Sequence, residues 1–159
     1  MKKRDKFFIA PASIFRRFLA FVIDLIIFDI IVLFPFNRLF NKIVPGTTAE
    51  QYAYIQQNPQ ILTLLLPFVM IAGIILVLYF TYFEYKLNQT PGKMLLRIKI
   101  FPESKITFWN YLFSNLTFLP LFPFNLLLII DPFYMIFSPK NQRLMERINK
   151  IIVLQKYKY

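Results

Sequence analysis

The residues that could do chemistry are few, and most are carboxylates set in apolar surroundings. Asp24 and Asp29 interrupt an otherwise apolar stretch, Phe18 to Phe36. Glu84 closes a second stretch, Ile61 to Phe83, that carries no charge. Asp131 is the only charge in a third, Phe108 to Phe137. A carboxylate inside a bilayer is costly and usually faces a partner, a cavity or an ion pathway. Removing it from water favours its protonated form. Two readings of Asp24 follow: a binding group for a proton or cation, or a neutral hydrogen-bonded Asp that joins helices. Other chemistries are excluded by composition. The chain has no Cys and no His. That removes Cys-His and Ser-His catalysis, thiolate or imidazole metal sites, and disulfides. No enzyme activity, cofactor or metal is expected.

The elements that must position these groups are membrane segments. The chain has 159 residues, 57% of them hydrophobic. A bilayer-spanning helix needs about 20 mostly apolar residues. The first two stretches meet that length. The third, if helical throughout, would reach about 45 Å against a hydrocarbon core of about 30 Å. Pro120 and Pro123 break it near the middle, which predicts two short legs joined by a turn. Whether both legs cross, or dip in and return, is left open by the sequence. The expected fold is an all-α membrane protein, one domain over 1–159, with about four transmembrane or re-entrant helices and a small cytoplasmic β-prone loop. The helices fall near residues 14–36, 61–84, 107–119 and 121–138, followed by a basic tail, 139–159.

The charges give the sidedness. The net charge is +11. All Lys and Arg except Arg38 and Lys42 lie before the first apolar stretch, between the second and third, or after the third. Lys2, Lys3, Arg4 and Lys6 open the first of these segments. With a hairpin in the third stretch, all three basic segments share one side, as the positive-inside rule requires. Both termini are then expected in the cytoplasm of a multi-pass cell-membrane protein, with one outer loop, residues 37–60. The basic face suits anionic lipid headgroups rather than nucleic acid.

Two further expectations concern polar contacts. Arg17 begins the first helix at the level where Glu84 ends the second, so an Arg17–Glu84 pair should clamp the cytoplasmic end. Asp24 and Asp131 should lie at a similar depth, with Asn115, Thr117 and Asn125 as available partners. Asp29 lies nearer the outer face and reads as structural. Tyr79, Tyr82 and Tyr85 read as an interfacial belt. Between the second and third stretches, Thr90-Pro91-Gly92 carries turn chemistry. Residues 97–101 and 105–108 alternate polar and apolar about Pro102-Glu103-Ser104, which predicts a small hairpin. Residues 150–155 are a further β-prone run.

Together these residues resemble a known family. Ala12 to Asp24 (Ala-Ser-Ile-Phe-Arg-Arg-Phe-Leu-Ala-Phe-Val-Ile-Asp) is similar to the opening of the RDD family of small membrane proteins, with Arg17 and Asp24 in the family's Arg and Asp positions. Gln-Thr90-Pro91-Gly92-Lys93 resembles the loop after that family's second helix. Gln142 to Arg147 resembles a stretch where many members carry Arg-Leu-His-Asp. There this chain has Met145-Glu146, and Ser114 stands where an Arg often precedes the Asn at Asn115. Glu146 keeps the second acid's charge by position, and Asp131 keeps its residue type nearby. The resemblance implies a helical membrane fold and a suspected role in transport. Two functions are therefore expected as alternatives. One is a carrier or channel subunit, assembled as an oligomer, that moves a small cation or proton-coupled solute past Asp24, Asp131 and Asn115. The other is a non-transporting adaptor or assembly factor with a basic cytoplasmic face.

Overall fold

A computed structural model describes residues 7–44, 46–103 and 105–158. The basic residues Lys2, Lys3, Arg4 and Lys6, and Ser104 of the expected hairpin turn, lie outside that range. Two long apolar rods dominate. The first begins at α1, Ile14–Phe28, where the Ser13 side chain accepts from the Arg16 amide. It continues without a break through a π-helical stretch, Asp29–Leu33, into α2, Phe34–Ile43. The second rod is α4, Gln60–Leu87, which tolerates Pro67 inside it. Between them, α3, Thr48–Gln57, is polar and starts with a capping box between Thr47 and Glu50. Ile14–Lys42 and Gln60–Leu87, at 29 and 28 residues, are both long and apolar enough to cross a membrane. The first starts where expected and runs past its expected end, because polar Asn37, Arg38 and Asn41 continue the helix rather than breaking it, and the second exceeds 61–84 slightly at both ends.

The third apolar stretch is broken, as its prolines require. Helix α6, Phe108–Asn115, tightens into a 3-10 turn, Leu116–Phe118. Helix α7, Phe124–Phe137, returns after residues 119–123. The 14 residues of α7 rise about 21 Å, short of a hydrocarbon core of about 30 Å. The tip between the legs packs midway along α4. A Cβ added to Gly73 would lie 2.4 Å from Pro120 Cδ, so only a glycine lets the two backbones come this close.

At the other end of the rods sits a small antiparallel sheet in the order β1-β3-β2, from Phe7–Pro11, Ile151–Lys158 and Ile98–Pro102. Ala10 and Ile98 flank Gln155 from either side. Ile98, Ile100, Ile151 and Val153 bury one face against Ala12, Ala20 and Tyr111. The pairing of β1 with β3 puts the N- and C-terminal strands side by side. The fold is therefore mostly helical with a three-stranded sheet, not all-α.

The hairpin expected about Pro102-Glu103-Ser104 does not form. Strand β2 pairs instead with β3, some fifty residues later, the β-prone tail run. Residues 105–107 are not a strand, because Thr107 is committed to capping α6 through Asn110. Two short helices complete the core: α5, Pro91–Leu95, and α8, Leu144–Ile148.

Candidate functional site

Helix α5 positions the first half of the site. Thr90 caps it and Pro91 takes the first helical position, where its missing N–H costs nothing. The helix lies against α1 so closely that a Cβ on Gly92 would fall 2.1 Å from the Ala20 carbonyl oxygen. That contact delivers donors to Asp24, which is fully buried. The Gly92 amide donates to Oδ1 at 2.8 Å, the Thr90 hydroxyl to Oδ2 at 2.5 Å, and the Tyr79 hydroxyl to Oδ1 at 3.1 Å. None of the expected partners of Asp24, namely Asn115, Thr117 and Asn125, is among these donors. Tyr79, read from the sequence as an interfacial anchor, holds the acid instead.

The expected Arg17–Glu84 pair is replaced by two others. Lys93 on α5 donates to Glu84 Oε1 at 2.6 Å, and Asn115 Nδ2 donates to Oε2 at 2.9 Å. Arg17 donates to Glu146 and to the Asn141 carbonyl. The reason is geometric. Helix α5 folds back onto α1 and interposes Lys93 at Glu84, while α8 brings Glu146 to Arg17. Asn115, expected on an ion pathway, thus holds Glu84 in place.

Helix α8 supplies the other half. Arg143 Nε donates to Glu146 Oε1 at 2.9 Å, and its guanidinium lies 5.9 Å from the Phe118 ring centre. Burial works to raise the Glu146 pKa, but Arg17, Arg143 and Lys93 outweigh it and hold the carboxyl well below the usual range. Burial likewise opposes the charge on Arg143, yet Glu146, Glu84 and Asp131 keep it protonated above the ordinary arginine value. On α7, Asp131 is buried and more loosely held. The Thr117 hydroxyl and the Met145 amide donate to it at 3.3 and 3.4 Å.

These groups line one cavity of about 150 Å3 between α1, α4, α7 and the short helices. Its ionisable lining is four acids, Asp24, Glu84, Asp131 and Glu146, and three bases, Arg17, Lys93 and Arg143. The ion pairs among them use Glu84 and Glu146. Among the described residues, Asp24 and Asp131 have no ion-pair partner, so the ionised cavity is left one negative charge in excess. Asp29 is elsewhere, exposed on the first rod where the π-helical stretch begins. The sequence left Arg143 and Tyr79 out of the site and named Lys93 only within the family motif, without a partner. The signal for Lys93 was present: a Thr-Pro helix start next to glycine marks a segment able to approach another backbone closely.

The architecture is a mostly helical one, with two rods long and apolar enough to cross a membrane beside a paired and hydrogen-bonded charge cluster. The RDD family model matches residues 11–150, and the chain belongs to the RDD family. No curated protein and no solved structure matches it.

Proposed function

We propose that the chain is a multi-pass carrier of the cell membrane that admits a small cation, or a solute coupled to a proton, into this cavity. The observation that carries the reading is the charge excess. A bilayer protein that gathers four acids and three bases around one cavity, six of the seven buried, and forms no direct ion pair at two of the acids has a place for a positive charge. Asp131 is the better-placed group, because its two hydrogen bonds are long and it faces the cavity. Asp24 faces the same space but already accepts three donors. The two rods cross the bilayer, and the α6–α7 hairpin re-enters from the side of the sheet. The basic segments put that side, and both termini, in the cytoplasm against anionic headgroups. A single copy this small implies a homo-oligomer. We assign it no enzymatic step and no nucleic-acid partner.

The saturation of Asp24 favours a second reading, a non-transporting adaptor in which the polar cluster only fastens helices. Flux separates the two. Protein in proteoliposomes with an internal pH dye and a proton gradient is challenged with Na⁺ and then K⁺. Cation-driven proton movement that Asp131→Asn abolishes in folded, inserted protein supports the carrier. No movement from correctly oriented wild type refutes it and leaves the adaptor.

A further inference from the structure

The cavity is not sealed from the side. Phe18 of α1 and Leu128 of α7 both line it, yet they are 60% and 43% exposed on the outer surface of the protein. Pro132 does the same one helical turn from Leu128. Helix α1 is packed by α5, and α7 by the 3-10 turn and α8, so the two helices flank a gap rather than a joint. In a bilayer that gap faces acyl chains.

The wall behind the gap is aromatic. Phe21, Phe80 and Phe118 form a contiguous set of rings with centroids 4.8–6.0 Å apart. Aromatic faces attract organic cations, and quaternary ammonium groups most characteristically. Oxygens are scarce by comparison. A bare divalent cation needs about six converging oxygen ligands. Among the described residues, no cluster of three or more acids is placed to hold a metal ion.

We propose that the cavity binds the ammonium head of a single-chain cationic amphiphile, with Asp131 as counter-charge, the three phenylalanine rings as its wall, and the hydrocarbon tail leaving between Phe18 and Leu128. The proposal deepens the carrier reading by naming its substrate class, and it rests on that reading only for transport, not for binding. A phosphate in the head adds a negative charge that the lining acids, four against three bases, oppose, so a phosphocholine head is expected to bind more weakly.

Purified full-length protein in nanodiscs of neutral lipid tests this through its melting temperature. The additives are dodecyltrimethylammonium, tetramethylammonium, dodecylphosphocholine and NaCl. Saturable stabilisation by dodecyltrimethylammonium is expected, at least tenfold tighter than by either of the other two organic compounds. Asp131→Asn should weaken it at least tenfold. Leu128→Trp, at an exposed position that folding tolerates, should weaken the dodecyl compound while sparing tetramethylammonium. Equal binding of the two ammonium compounds, or binding unaffected by both variants, overturns the lateral site. Stabilisation by Na⁺ with none by any ammonium overturns this proposal and leaves an inorganic-cation carrier standing. No stabilisation by any additive overturns the proposal, and absent flux as well overturns the carrier.

Discussion

Replacing Glu146 by Gln should destabilise this protein more than any change at a surface charge. Glu146 is 2% exposed and sits between Arg17 and Arg143. The amide keeps the shape but leaves the buried Arg17 guanidinium without its carboxylate and the partly buried Arg143 with only the more distant Asp131 and Glu84. Breaking a buried pair in this way costs about 3–5 kcal/mol. For a chain of this length, each kcal/mol moves the melting temperature about 2–4 °C, which gives a loss of about 6–20 °C. The internal standard is Lys140–Glu103, a 3.0 Å pair whose side chains are 53% and 43% exposed. Lys140→Ala should cost at most about 1 kcal/mol. Thermal unfolding in detergent, followed by size-exclusion recovery, measures both. Arg17→Gln added to Glu146→Gln should recover part of the loss, since the second change removes one orphaned charge. The pH dependence adds a check on sign. The folded carboxyl titrates below its unfolded value near 4.3, so the unfolded state takes up the proton first as pH falls. The contribution is complete above about pH 5 and declines below about pH 4.3 toward the folded value. Wild type should therefore lose more stability between pH 5 and 3.5 than Glu146→Gln does. A variant that melts within 4 °C of wild type, with the same acid profile, would refute the reasoning.

Two other outcomes test the architecture. Gly92→Ala places a methyl group against the Ala20 carbonyl and the Asp24 carboxylate, both too close to yield without shifting α5. It should cost about 1–3 kcal/mol by the same melting assay, and wild-type stability would show that α5 does not dock on α1. The chain has no Cys, so single cysteines can report sidedness directly. Lys140→Cys should react with an impermeant maleimide only from the cytoplasm and Glu50→Cys only from outside, whereas Phe122→Cys at the hairpin tip should react slowly from both. Outside labelling of Phe122→Cys as fast as that of Glu50→Cys would mean that the hairpin crosses the bilayer.

The candidate site was legible in part. Asp24, Asp131, Glu84 and Arg17 stand out in the sequence because charge is conspicuous against apolar neighbours. Glu146 and the Thr90–Lys93 segment stood out by resemblance. Their pairing was not legible. The Arg17–Glu84 expectation used the one thing spacing supplies, the level of each residue along its own helix. It had no account of α5 and α8, five-residue helices too short to show a period. The strands misled in the same way. Residues 105–107 alternate like a strand, yet the capping bonds of Thr107 decide their conformation locally, while β2 takes a partner far along the chain.

By itself the sequence determined the two apolar rods, the break at Pro120 and Pro123, the absence of thiol and imidazole chemistry, and the segregation of basic residues. Each of these is a property of composition or of near neighbours, which the chain carries whatever its fold. Only the tertiary structure decided that Arg17 meets Glu146, 129 residues away, that Lys93 intercepts Glu84, and that Asp24 and Asp131 face one cavity. Those facts depend on how closely backbones approach. Gly73 under Pro120 and Gly92 under Ala20 set that approach, and a missing Cβ shows its effect only when the opposing surface is in place.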